Sequence, residues 1–599
     1  MIDELPRWDV SEYFPGLDSR EFTAAHEQLG AEISRLGALF DRHGVRGGDH
    51  ALDDGAVAAY DEVLSATNDV REQAGLLQAY VYAFVSTDAK DDEAQRAYSR
   101  LERDSAELTK LTARFEAWVG ALGADELIAR SEQAAAHGWP MRKAQIRADH
   151  QMSEAEEDLS ADLSLTGGSA WSRLYRDVTA SIVVDVPKPD GTLETLPMSG
   201  VRGLAGDPDR GVREAAYHSE LEAWREHATP IAAALNAIKG EQLTLATRRR
   251  WDSPLDSQLF SQTVDRETLD AMQSAMTASF VDFRRYLRAK AKMMGLDRLA
   301  FFDLFAPIGG GSDQPWSAAV DAVEAAFTSY SPQLRALARR AFDESWVDVG
   351  PRSGKVGGAF CMPTIDGDSR VLMNFNGSFD SFQTLAHELG HAYHNSTMAG
   401  RTPLQKGTPS ALAETASIFC ETVMVAHGLD TATGDDRLAI LEVDLQGSLQ
   451  VIVDIHSRFL FEAAVFERRA STTLSAEEFC ELMAEAQEAT YGDGLDADLR
   501  HRWMWAAKPH YYGSLFYNWP YAYGLLFGLG LFAEYQRDPD RFRQGYDDLL
   551  SSTGLGTAAE LAGRFGIDVH DVAFWTSSLD VVRDRVDAFC AEVDARVGS

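Results

Sequence analysis

Cysteine is scarce: only Cys361, Cys420, Cys480 and Cys590 occur among 599 residues, far apart and with no CxxC pair. A cysteine metal site or a disulfide framework is therefore not expected. Long apolar runs are also missing. The longest, Tyr521 to Phe532, is too short to span a bilayer and reads as a buried helix rich in Gly, Leu and Phe. Positive charge is in deficit, with 56 Lys+Arg against 93 Asp+Glu and a net charge of −37. A field of that sign repels phosphate backbones and anionic lipid, so neither nucleic acid nor membrane is an expected partner. The one basic run, Arg248-Arg249-Arg250, closes a helical-looking stretch, where cations are favourable anyway. The start, Met1-Ile2-Asp3-Glu4-Leu5-Pro6, carries no secretory pattern. A cytoplasmic setting is the expectation.

Repeats and low-complexity tracts are absent too, and what fills the chain is helix-compatible pattern. Ala, Leu, Glu and Arg recur at three- and four-residue spacings through 20–41, 56–122, 208–248, 264–295 and 315–343. Strand signals are few. Residues 181–186 and 193–196 flank a Pro-Asp-Gly turn and read as a β-hairpin. Val371 to Phe375 is a second strand candidate, with Thr364-Ile365 before the Asp366-Gly367 turn as its partner. The expected fold is mainly α with a small sheet beside the active site. A boundary near residue 200 would divide an N-terminal helical lobe, 1–200, from a catalytic portion, 201–599.

Chemistry concentrates in Thr384-Leu385-Ala386-His387-Glu388-Leu389-Gly390-His391-Ala392-Tyr393-His394, which contains HExxH. On a helix, His387 and His391 project from one face and can bind a single ion, while Glu388 faces the water it must deprotonate. Asp380 with Gln383 is a plausible capping box, and Gly400 a helix stop. A catalytic zinc takes three protein ligands and keeps a fourth position open. Thr408-Pro409-Ser410 reads as a helix start with Thr as N-cap, and Glu414 follows within that helix as the third ligand. Glu421, seven residues on and on the same face, would orient a ligating histidine. His394 competes as a ligand. Donors for a developing oxyanion are sought in Lys508 to Gly524, where His510 precedes a cluster of tyrosines.

Taken together these segments resemble the thimet-oligopeptidase-like M3 metallopeptidases, and most closely the oligoendopeptidase F branch. The resemblance runs nearly end to end: Leu5-Pro6-Arg7-Trp8-Asp9-Val10, the glycine loop Gly354 to Cys361, Val371 to Gly377, HExxH, Ala413-Glu414-Thr415-Ala416-Ser417, and Pro509 to Gly524. It implies a two-lobed, prolate, mostly helical molecule with zinc deep in a central channel that admits short unfolded peptides. It implies one zinc per chain on His387, His391 and Glu414, with Glu388 as general base. Substrate backbone would pair with an edge strand around Val371–Asn376, which brings Gly358, Ala359, Met373 and Phe375 into contact with the peptide, and Tyr512 would line the site. His510 with Tyr517 or Tyr521 would serve the tetrahedral intermediate, Trp519 standing where the branch often has a further Tyr. The reading is thus a zinc endopeptidase acting on short peptides, monomeric or weakly self-associating. Alternatives are a zinc carboxypeptidase on a similar scaffold and an inactive peptide-binding homologue. Neither GxSxG nor a Walker lysine motif is present, which disfavours other enzyme classes.

Overall fold

A computed structural model describes residues 5–309 and 313–598, and its architecture is mainly α. The expected helix over 20–41 is Arg20–His43, started by the Ser19 side chain, which accepts from the Phe22 N–H. The 56–122 pattern is two helices, Asp54–Thr87 and Asp92–Leu122. Asp91 divides them, because its carboxylate accepts the Glu93 and Ala94 N–H groups and so begins a new helix. Likewise 315–343 breaks at Ser331-Pro332, where serine caps and proline opens Pro332–Asp343. The Arg248-Arg249-Arg250 run ends the Ala228–Arg248 helix, with Arg248 and Arg249 paired to Glu156 and Glu157, a structural role. Residues 1–4, 310–312 and 599 lie outside the described residues. Among the described residues no helix is long and apolar enough to cross a membrane.

Contacts group the chain into two interleaved compact units. One gathers the described parts of Met1–Gln151, Ser312–His427 and Glu534–Phe565; the other gathers Met152–Gly311, Gly428–Ala533 and Gly566–Ser599. Residue 200 falls inside the second unit, because the hairpin of β1 (Val183–Pro187) and β2 (Leu193–Pro197) packs on the Arg210–Glu226 helix that follows it. In the first unit, the three N-terminal helices bury a core around Phe40, Tyr60, Leu64, Phe115 and Trp118.

The small sheet of the first unit has the order β3 (Val347–Asp348), β5 (Ser369–Leu372), β4 (Phe360–Pro363), with β4 antiparallel to β5. The Asp366-Gly367 turn joins β4 to β5 as expected, both residues having positive φ, +53° and +83°. That is the geometry a tight two-residue hairpin turn needs. The strand entering it runs over 360–363, ahead of the expected Thr364-Ile365, since Thr364 and Ile365 belong to the turn's own hydrogen bonds with Asp368.

Candidate active site

The HExxH segment lies in the helix Phe379–Thr397. Its cap is Ser378, whose side chain accepts the Ser381 N–H, and not Asp380 with Gln383. The reason is the preceding turn: Gly377 has φ +87°, and Asn376 Oδ1 collects bonds from the Ser378 amide and the Ser381 hydroxyl, which brings Ser378 to the helix mouth. His387 and His391, one turn apart, place their rings 4.9 Å apart and nearly perpendicular. Gly390 faces the neighbouring chain so closely that a Cβ there would lie 2.6 Å from Ser417 Cα. Only glycine lets the two segments approach in this way.

The third potential donor, Glu414, comes from that neighbour, although not from inside one continuous helix. Residues Ser410–Ala413 form a single turn, Glu414 interrupts it at φ −82°, ψ 2°, and Thr415–Thr431 begins a new helix. Thr408 does not cap; its hydroxyl shares a hydrogen bond with Thr553, and Pro409 holds the N-cap position. The break turns Glu414 toward the histidines. Its Oε2 lies 3.3 Å from Nε2 of both His387 and His391, and the three donor atoms fall within 4.8 Å of one another. Each of these side chains remains partly exposed. Ser417 donates to Glu414 Oε2 at 2.7 Å, and His387 Nδ1 donates to Glu421 Oε2 at 3.2 Å, which leaves Nε2 to face the common point.

The electrostatics follow from this crowding. Burial would lift the Glu414 carboxyl, but the two imidazoles outweigh it and hold it far below the usual range. Burial would lower His387, yet Glu414 and Glu421 raise it well above the ordinary imidazole value. Glu388, 5% exposed, is raised by burial against the pull of His387 and His391. A carboxylate so placed is disposed to accept a proton. His394 turns away: its Nε2 meets the Leu550 carbonyl at 3.0 Å and the Thr553 hydroxyl at 2.9 Å, and burial lowers its pKa to about 4. It is therefore no competitor for the ion.

β4 and β5 both pack on the HExxH helix, and the Cys361 thiol of β4 feels the Glu388 charge. The expected edge strand proves to be the central one. Val371, Met373 and Phe375 donate to Trp346, Asp348 and Val349 on one side, while β4 pairs with the β5 residues Ser369–Leu372 on the other. Met373 and Phe375 are buried, Phe375 among the rings of Trp316 and Phe382, and neither offers a surface to a peptide. β4 forms one edge of the sheet and β3 the other. Gly358, with φ +79°, and Ala359 lead into β4, and the Asn374 side chain holds their loop by donating to the Val356 and Gly358 carbonyls.

In the second unit, His510, Tyr517 and Tyr521 form their own group. The His510 and Tyr517 rings stack in parallel with centroids 4.4 Å apart, and the Tyr517 and Tyr521 hydroxyls share a hydrogen bond at 2.8 Å. Both tyrosines are accessible, at 37% and 40%. Burial, then the cations Arg458 and Lys508, push the His510 pKa down. Tyr512 does not join them. It is buried, stacked on Tyr175, with its hydroxyl donating to the Trp505 carbonyl, because the short turn His510–Gly513 points it into the core. Trp519 is buried as well.

Two contributors escaped the sequence reading. Gly390, a glycine inside a helix, was the available signal for a close crossing, and Ser417, three residues after Glu414, the signal for a hydroxyl that steadies it.

Known proteins resemble the chain at the level of family and fold. The model for Peptidase family M3 matches residues 323–581, and that for Oligopeptidase F matches 124–183, together more than half of the chain. The plasmid oligoendopeptidase F of Lactococcus lactis subsp. cremoris is 25% identical over a region spanning 64% of this chain and 64% of its own length, less than two thirds of that relative. Oligopeptidase PepF of Bacillus subtilis is 21% identical over 94% of this chain and 83% of its own. The solved fold of oligoendopeptidase-F from Enterococcus faecium superposes with a TM-score of 0.70 at 17% identity, covering 96% of this chain and 99% of that one. With HExxH, Ala413 to Ser417 and Pro509 to Gly524 falling inside the M3 match and the fold shared nearly end to end, the chain belongs to peptidase family M3.

Proposed function

We propose that the protein is a zinc endopeptidase that hydrolyses internal bonds of short, unfolded peptides. One observation carries the reading: a single unit holds together the His387–His391–Glu414 donor set, the buried Glu388 and the strand edge of β4. Two imidazoles and one carboxylate, converging within 4.8 Å and each partly exposed, are the donor set of a catalytic zinc with an open position. An ion held there would act as a Lewis acid toward the scissile carbonyl and make water a nucleophile near neutral pH. Glu388 takes the proton of the attacking water and returns it to the leaving amine. The β4 edge, with Gly358 and Ala359, pairs with the extended substrate backbone, a mode that requires an unfolded segment. His510, Tyr517 and Tyr521 carry the role of oxyanion donors that the family resemblance implies. A lowered pKa leaves His510 neutral, so it offers an N–H without losing a proton. The relatives' names, oligoendopeptidase F and oligopeptidase PepF, point to the same substrate class.

The test is mass spectrometry of a mixed short-peptide digest by zinc-loaded protein, with Glu388→Gln alongside. Internal cleavage is expected, falling by about 10²- to 10⁴-fold in the variant while one zinc per chain stays bound. Stepwise C-terminal trimming would identify a carboxypeptidase instead. Undiminished turnover by Glu388→Gln would reject the mechanism.

A further inference from the structure

Tyr517 is held by residues far from it in the chain. Phe516, just before it, has φ +43°, a left-handed conformation that a bulky side chain adopts only under constraint. Its ring is buried against Phe459 and Phe466, both with centroids 5.4 Å away. Its amide donates to Glu462 Oε1 at 3.1 Å. The same oxygen receives Lys239 Nζ at 2.7 Å, and Nζ also donates to the Ser514 carbonyl at 3.3 Å and to Gln242 Oε1 at 3.1 Å. Lys239 and Glu462 are 0% and 3% exposed, one on Ala228–Arg248 and the other on Ile455–Arg469. The ion pair therefore grips the backbone on both sides of Leu515.

Stability alone is a poor account of this pair. Replacing a buried ion pair by apolar side chains of similar volume is often neutral or stabilising. Strain of the kind seen at Phe516 costs about 1–3 kcal/mol and persists where its surroundings over-determine it. Here the surroundings are the Glu462 acceptor, the Lys239 donor and two aromatic rings, and what they present is Tyr517 stacked on His510.

We infer that Glu462 is a positioning residue: its acceptor, charge-balanced by Lys239, holds Phe516 in its strained conformation and so aims the Tyr517 hydroxyl. The inference rests on Tyr517 being an oxyanion donor, as proposed above.

Two double variants separate position from charge, since neither leaves a buried charge unpaired. Lys239→Met with Glu462→Gln keeps an acceptor for the Phe516 amide; Lys239→Met with Glu462→Leu removes it. With zinc-loaded protein and a peptide shown to be cleaved, the Gln pair should keep kcat within about threefold. The Leu pair should lose about 10- to 100-fold in kcat with KM and zinc content unchanged. Tyr517→Phe should cost on the order of 10²-fold alone and little more in the Leu background. Equal kcat in the two double variants, with Tyr517→Phe still costly, overturns the inference and spares the reading of Tyr517. A silent Tyr517→Phe overturns that reading and the inference with it. Amide exchange in the unaltered protein needs no variant to fold: the Phe516 amide should be strongly protected, and fast exchange there overturns the inference.

Discussion

The two groups of chemistry-bearing side chains are built on opposite plans. His387 and His391 lie on one helix and Glu414 at a helix break beside it, so helical periodicity and one close crossing at Gly390 are enough to bring three donors together. His510, Tyr517 and Tyr521 lie within twelve residues, yet their arrangement depends on a strained loop gripped by Lys239 and Glu462. Nearness in sequence is thus a poor guide to what determines geometry. The most drastic way to break the first group is His391→Ala. Two of three donors remain, which should abolish stable zinc retention and peptide cleavage while circular dichroism stays helical. Stoichiometric zinc together with full activity would reject the donor set.

A gentler change tests whether the first group is supported from outside its ligands. Ser417→Ala deletes the 2.7 Å bond to Glu414 Oε2 and should weaken zinc binding by about 10- to 100-fold in a chelator competition. The matching change in the second group is Tyr521→Phe, which removes the hydroxyl partnered with Tyr517 at 2.8 Å. About a tenfold loss in kcat is expected, with zinc content unaltered. Zinc loss in Tyr521→Phe would mean that the two groups are not independent.

The same contrast explains what the amino-acid sequence made legible. The helices, the hairpin at 183–197 and the Asp366-Gly367 turn were readable because each follows from local periodicity or turn chemistry. The convergence of His387, His391 and Glu414 was readable because a motif and a spacing place them, and the approach of Glu421 to His387 because it sits two turns beyond Glu414. Strand order was not readable: Val371 is paired on both sides, by Val347 and by Cys361, and alternation cannot reveal that β5 is central. Met373 and Phe375 were misplaced for that reason. Tyr512 was misplaced because a run of aromatic residues does not say which ring turns inward, a choice made by Tyr175 and the Trp505 carbonyl. Helix caps failed in the same way, since Ser378 and Asp380 are equally good residues for the task and the Asn376-Gly377 turn decides between them.

The smallest expected effect on catalysis lies behind the second group, where activity at neutral pH should not change. His456 is buried, with its ring beside Phe280 and Phe459, and Phe459 in turn packs on Phe516. Burial lowers its pKa from 6.5 to about 4. Between those values the unfolded chain binds the proton more readily than the folded one, so stability rises with pH. The contribution is fully present above pH 6.5 and is lost as pH falls toward 4, reaching about 3 kcal/mol for a shift of this size. Replacing the imidazole by an apolar ring, His456→Phe, removes that proton-binding difference. Urea midpoints followed against pH should therefore diverge, the variant losing less stability than the parent between pH 6.5 and 4. Parallel curves would show that the buried imidazole is not a source of acid sensitivity in the second unit.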